Sequence, residues 1–324
     1  MSNTPTGVIR FGSFYAGGRP LKITGEAVRS IAFTESASYQ YDPNGLFHIE
    51  QAYVQYFIPA QQKHPLPLVF LHGGGMSGTM WEQTPDGRAG WAQAFVEQGY
   101  AVYVVDNVER GRAGWTPFPG VWPDSPISRS VEESWSLFRL GEADGFTERV
   151  AYPGQRFPVE HIEDFAAFSV PRWLSNNQTA IDTFCAVLDR IGPCVVVAHS
   201  HGGEVAFRAA AQRPELVQGM VAVEPSGYCA DDSIVSLGLQ ACLFVYGDYL
   251  DKTPIWRSLT TQGKAFCDAL SQSGINSHWW VLPEMGITGN SHMLMMDDNS
   301  DEIALKIGSW LADSFPETSM MPDG

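Results

Sequence analysis

The chain has 324 residues, 44% hydrophobic and 17% charged, which suits one large domain or two smaller ones around a substantial core. Its 20 Lys and Arg stand against 36 Asp and Glu, a net charge of −16. That balance argues against nucleic acid and anionic membranes as partners, and slightly favours neutral or cationic small molecules over anions.

The first 65 residues read as an antiparallel opening, with strand-forming residues throughout Ala52 to Ile58. Leu66 to Leu71 is the next strand and runs into His72-Gly73-Gly74-Gly75. Ala89 to Gln98 reads as a helix with Trp91 and Phe95 on one face and Gly99 as its stop. Tyr100 to Val105 is an apolar strand ending at Asp106. Ile181, Phe184, Cys185, Leu188 and Ile191 mark one face of a helix that Gly192 ends. Strands follow at Cys194–Ala198, Val217–Val223, Cys242–Tyr246 and Trp279–Leu282, and a last helix follows Ser300. Such alternation predicts an α/β fold, a mainly parallel sheet with helices on both faces.

Residues 107–175 break this rhythm. They are rich in Pro, Gly and aromatic side chains and show no βαβ pattern. The predicted organisation is a core of residues 1–106 and 176–324, with 107–175 inserted as a cap over the carboxyl ends of the strands, where α/β sheets bind ligands. A cap of that kind would set substrate range more than core stability.

No apolar run approaches the ~18 residues of a membrane helix, and Met1–Gly7 lacks the basic and apolar regions of a signal peptide. The expected location is cytoplasmic, or secreted with the leader removed. Five cysteines form no C-x-x-C pair and no Cys/His cluster with zinc spacing, so no metal site is expected. Buried free thiols are the default for Cys185, Cys194 and Cys242, with one or two disulfides left open.

The chemistry is expected at Ala198-His199-Ser200-His201-Gly202-Gly203. A buried strand turns sharply into a helix with Ser200 at the apex, which is the form of a nucleophile elbow, G-x-S-x-G with Ala198 for the first Gly. A neutral serine hydroxyl needs a general base. Of eight His, His292 lies in a loop between the last strand and the last helix, whereas His278 begins a strand, and His48 and His64 precede the core strands. His161 lies in the cap, where it could meet substrate. His199 and His201 are locked in the elbow backbone. Two positions compete for the acid that orients the base: Glu224, ending the strand Val217–Val223, and Asp248, after the next one. A Glu at the end of a buried strand needs a partner, and the base would supply one. Asp248 after Gly247 is easily explained as a turn residue. Glu224 is preferred, with Asp248 as the alternative. Arg110 and Arg112 read as loop scaffolding, and Met293, Met295 and Met296 as core.

The elbow, the upstream His72-Gly73-Gly74-Gly75, Asp106 after the next strand and the late His292 together resemble the α/β-hydrolase superfamily, over about Val54 to Ser314. The resemblance is closest to a group of bacterial carboxylesterases with an H-S-x-G-G elbow and a Glu acid directly after the strand that follows the nucleophile helix. It implies an α/β-hydrolase fold and a serine carboxylesterase with Ser200, His292 and Glu224 as triad. It implies an oxyanion hole from the His201 and Gly74 amides, with Gly73 and Gly75 as alternatives to Gly74, and no cofactor. The expected partner is a small or medium apolar or aromatic ester; any oligomer would be a homodimer. Lactonase and thioesterase activity fit the same triad, and a non-catalytic small-molecule receptor is the alternative from another class.

Overall fold

A computed structural model of the chain describes residues 7–316. The chain opens with a long strand β1 (Val8–Ile23), a hairpin of β2 (Arg29–Thr34) and β3 (Ala37–Tyr41), and β4 (Gly45–Pro59). Then come β5 (Leu68–Leu71), α1 (Trp91–Glu97) and β6 (Val102–Asp106). Two short helices, α2 (Val131–Leu137) and α3 (Ile162–Ala166), punctuate the next seventy residues. Regular alternation resumes with α4 (Asn177–Ile191), β7 (Cys194–His199), α5 (His201–Gln212), β8 (Val217–Val223) and β9 (Ala241–Tyr246). It finishes with α6 (Pro254–Gln272), β10 (Asn276–Val281) and α7 (Ser300–Ser314).

Eight strands form one sheet in the order β1-β4-β6-β5-β7-β8-β9-β10. The β1/β4 and β4/β6 pairs are antiparallel, and from β6 to β10 every pair is parallel. Strands β5, β7 and β9 are buried along their whole length, which is why they read as unbroken apolar runs. Alternate residues feed two cores. Leu68, Phe70, Val195 and Val197 face α1 and α7, while Val69, Leu71, Val196 and Ala198 face α4, α5 and α6.

The predicted strands and the helices of 89–98, 181–191 and the C-terminal region are all present. His48 proves to lie inside β4 rather than before it. Helix α6 was not expected from the sequence. Its buried stripe is only Trp256, Gly263, Phe266, Cys267 and Leu270, among Ser, Thr and Gln, so its apolar periodicity is thin. A Thr253 cap accepting from the Trp256 amide and Pro254 in the first turn start it. All five cysteines are buried free thiols, so neither disulfide left open by the sequence forms.

The 107–175 segment lies over the carboxyl ends of β5 and β8, through contacts described below. Its packing differs from that of a separable cap. Trp135, Phe138, Leu140, Phe157, Ile162 and Phe165 belong to the same buried cluster as Phe70, Val197 and Leu243 of the sheet. Trp135, Phe138, Phe157 and Phe165 are core residues supplied by an irregular stretch, while Trp115 is exposed.

Candidate active site

Strand β7 delivers His199 and then Ser200, whose backbone stands at φ 52° and ψ −123°, a strained conformation for a residue with a side chain. Three hydrogen bonds hold it. The Ser200 amide donates to Val223 O (3.0 Å), and its carbonyl accepts from Gly203 N (2.9 Å) and Ser226 N (3.1 Å). The elbow is crowded: a Cβ on Gly202 would stand 2.5 Å from His72 O, so only glycine lets α5 leave β7 this close to β5.

His292 is delivered by the loop between β10 and α7. Asp297 anchors that loop by accepting from Ser291 N (2.9 Å), Ser291 Oγ (2.7 Å) and Asn290 Nδ2 (2.9 Å). The His292 ring is buried among Trp256, His199 and Phe138, at centroid distances of 4.3, 4.4 and 5.2 Å. Its Nδ1 lies 3.0 Å from Glu224 Oε2, which leaves Nε2 as the free nitrogen. Burial lowers its pKa below 6.5, against the opposing pull of Glu224, so the ring is neutral at pH 7.

Glu224 follows β8 and is fully buried with φ 48°. Arg139 grips it with two hydrogen bonds, Nη1 to Oε2 at 2.8 Å and Nη2 to Oε1 at 2.5 Å. Gly247 N donates to Oε1 at 2.6 Å. Burial alone would raise this carboxyl. The charge of Arg139, together with the His292 and Arg139 hydrogen bonds, outweighs it and holds the pKa at about 2. Asp248, the competing acid, does not pair with His292. Its carboxylate accepts from Tyr249 N (2.7 Å) and Gly289 N (2.9 Å) and ties two loops together.

The glycine loop after β5 lies against the elbow. The Gly73 carbonyl accepts from Met76 N (3.3 Å) and the Gly75 carbonyl from Val170 N (2.9 Å). His72 pins the start of the loop, donating from Nδ1 to Gly73 O (2.9 Å) and accepting at Nε2 from Asn107 N (3.1 Å). Burial, then the charge of Arg110, drops its pKa to about 4, consistent with that neutral tautomer. A Cβ on Gly74 would be 3.4 Å from His201 Cβ and 2.7 Å from Arg172 Nη1, so Gly74 and His201 are neighbours. His201 opens α5, so its amide has no acceptor within the helix. Its ring donates from Nε2 to Asn177 Oδ1 at 2.8 Å.

Ser200, His292, Glu224, His201 and Gly74 therefore converge at one end of the sheet. Two residues were missed. Arg139, fully buried with φ 62°, sits in the irregular segment, and no local signal marks it because its partner Glu224 is 85 positions away. His199 donates from Nε2 to His292 O at 3.0 Å and so holds the His292 backbone. His161 pairs with Asp164 at 2.9 Å on the surface and is not gathered into the site. Arg112 bonds Asp106 (2.8 Å) and Arg110 bonds Pro171 O (2.5 Å), both as loop scaffolding. Met293, Met295 and Met296 are fully buried core.

The chain is similar to a bacterial esterase of known structure, with 28% identity, a TM-score of 0.82, and 96% of this chain and 98% of that one covered. It is also 28% identical over 341 residues to a protein of a fungal species (strain ATCC 74256) named "Probable secreted lipase phiG", covering 88% of this chain and 92% of the other. Residues 67–274 match the family model described as alpha/beta hydrolase fold. The chain belongs to the α/β-hydrolase fold family.

Proposed function

We propose that the chain is a serine carboxylesterase acting through an acyl-enzyme. The observation that carries this reading is the buried Glu224–His292 pair, with the neutral imidazole's Nδ1 committed to the carboxylate, beside a serine on a strained elbow. Ser200 Oγ attacks the ester carbonyl and His292 Nε2 takes its proton. The oxyanion is received by the His201 and Gly74 amides. His292 then protonates the departing alcohol and activates the water that releases the acid. Glu224 holds the tautomer and stabilises the imidazolium, and Arg139 keeps Glu224 ionised.

The esterase and lipase names of the two similar proteins support ester chemistry over the other reactions of this fold. The cleft beside Gly74 is small, about 20 Å³, and bounded on one side by Phe138, which favours small acyl groups over long lipid chains. No helix among the described residues is long and apolar enough to cross a membrane, and the fungal relative's name supports export. Fluorophosphonate labelling tests the reading. The wild type should be labelled at Ser200 and Ser200→Ala should not, with turnover of a short p-nitrophenyl ester falling roughly 10⁴- to 10⁶-fold in a folded variant. An ordinary rate from Ser200→Ala would remove the nucleophile; an unlabelled wild type would favour a receptor.

A further inference from the structure

The cleft beside Gly74 has an unexpected electrostatic character. Its lining, among the described residues, includes two guanidinium side chains, Arg129 and Arg172, and no carboxylate. This occurs in a protein of net charge −16.

Arg172 is firmly seated. Its backbone pairs with Ile127 in both directions, at 2.8 and 2.9 Å, and its neighbours are tied down by Pro171 O to Arg110 and Val170 N to Gly75 O. Its Nη1 comes so close to Gly74 that a methyl group there would collide with it. Its Nε is buried with no acceptor. The acid that acts on it, Glu204, is already held by Asn177 (2.8 Å) and Arg208 (3.3 Å). Arg129 leans on Glu133, which is itself largely exposed. Both cations line the cleft, and burial, then the repulsion of Arg129, lower the Arg172 pKa. A buried guanidinium nitrogen without an acceptor is costly unless a ligand supplies one, and Arg172 is otherwise half-buried, so the rest of its head group stays open to such a ligand.

We propose that the cleft seats the free carboxylate of a half-ester of a short dicarboxylic acid, with Arg172 and Arg129 on the acid arm and the ester carbonyl at Gly74 and His201. This rests on the esterase reading above and replaces the apolar or aromatic ester expected from the sequence with an acidic one. Water adds across the ester bond: the acyl carbon gains the hydroxyl, the alcohol leaves with a proton, and the second carboxylate is unchanged.

The test compares monoethyl glutarate with ethyl glutaramate, a neutral analogue of the same shape, by initial ethanol release. Wild type should prefer the acid by about tenfold or more in kcat/KM, the value of one charged hydrogen bond. In Arg172→Gln and Arg129→Gln that ratio should fall towards one. A wild-type ratio at or below one overturns the proposal. So does a ratio retained in Arg172→Gln while both rates fall together, which would make Arg172 an aid to the oxyanion instead. A second arm needs no turnover: free glutarate should slow fluorophosphonate labelling of Ser200 in wild type and not in Arg172→Gln. Protection without hydrolysis of either ester would break the esterase reading and keep the anion site; labelling and hydrolysis without protection or preference would do the reverse.

Discussion

The nucleophile elbow and the 107–175 segment meet at the same site and are built in opposite ways. The elbow is local. A buried strand, Ser200 and a helix follow one another within twenty residues, and their partners are backbone groups of adjacent strands. The segment is non-local. Its short helices hold little by themselves, and its contributions, Phe138 against His292, Arg139 on Glu224 and Arg172 beside Gly74, all come from contacts with distant parts of the chain. Order at the candidate site is divided between a rigid, buried scaffold and an irregular, partly exposed stretch whose Phe138 and Arg139 are buried.

If that comparison is right, damage to either region should cost similar amounts. The largest effect is expected at the elbow: Gly202→Val, placing side-chain atoms against the His72 carbonyl, should lose about 3 kcal/mol or more and much of the folded yield. In the segment, Arg139→Gln should cost about 3–5 kcal/mol by leaving Glu224 buried without its cation, read from urea midpoints. Phe165→Ala should cost about as much as Phe95→Ala in α1, ~3–5 kcal/mol each. A cost below ~1 kcal/mol for Phe165 alone would restore the separable cap. At the small end, His161→Ala should stay within about 0.5 kcal/mol and leave kcat/KM intact, since its ring pairs with Asp164 at the exposed surface.

The pH profile sharpens the same comparison. The base must be neutral to act, and burial lowers the His292 pKa, so the acid limb of kcat/KM should have its midpoint below 6.5. Arg139 disfavours the imidazolium, so Arg139→Gln should move that limb to higher pH. An unmoved limb would mean that the segment's cation does not reach the base.

Legibility followed the same divide. The sheet, its direction and the elbow could be read because burial imposes apolar runs on β5, β7 and β9 and because tight turns demand small residues at Ala198 and Gly202. His292 could be read from its place between the last strand and helix. Glu224 was preferred over Asp248 on the physical ground that a carboxylate buried at a strand end needs a partner, and its contacts include both His292 and Arg139. Arg139 itself was illegible: nothing within several residues of it in the sequence marks a fully buried cation, because its partner is 85 positions away. Arg172 was equally silent, since a surface arginine and one facing a cleft look the same in sequence. Helix α6 escaped because its buried side is narrow and small.

The most direct test of the account sets Glu224→Gln against Asp248→Asn in kcat/KM for a short ester, with both variants shown to be folded. Glu224→Gln should lose roughly 10³- to 10⁴-fold, because the base loses its orienting carboxylate. Asp248→Asn, which keeps an acceptor for one of the Tyr249 and Gly289 amides and loses the other, loosens a loop tie without touching His292 and should lose less than about tenfold. A crippled Asp248→Asn beside an active Glu224→Gln would contradict the site as drawn here.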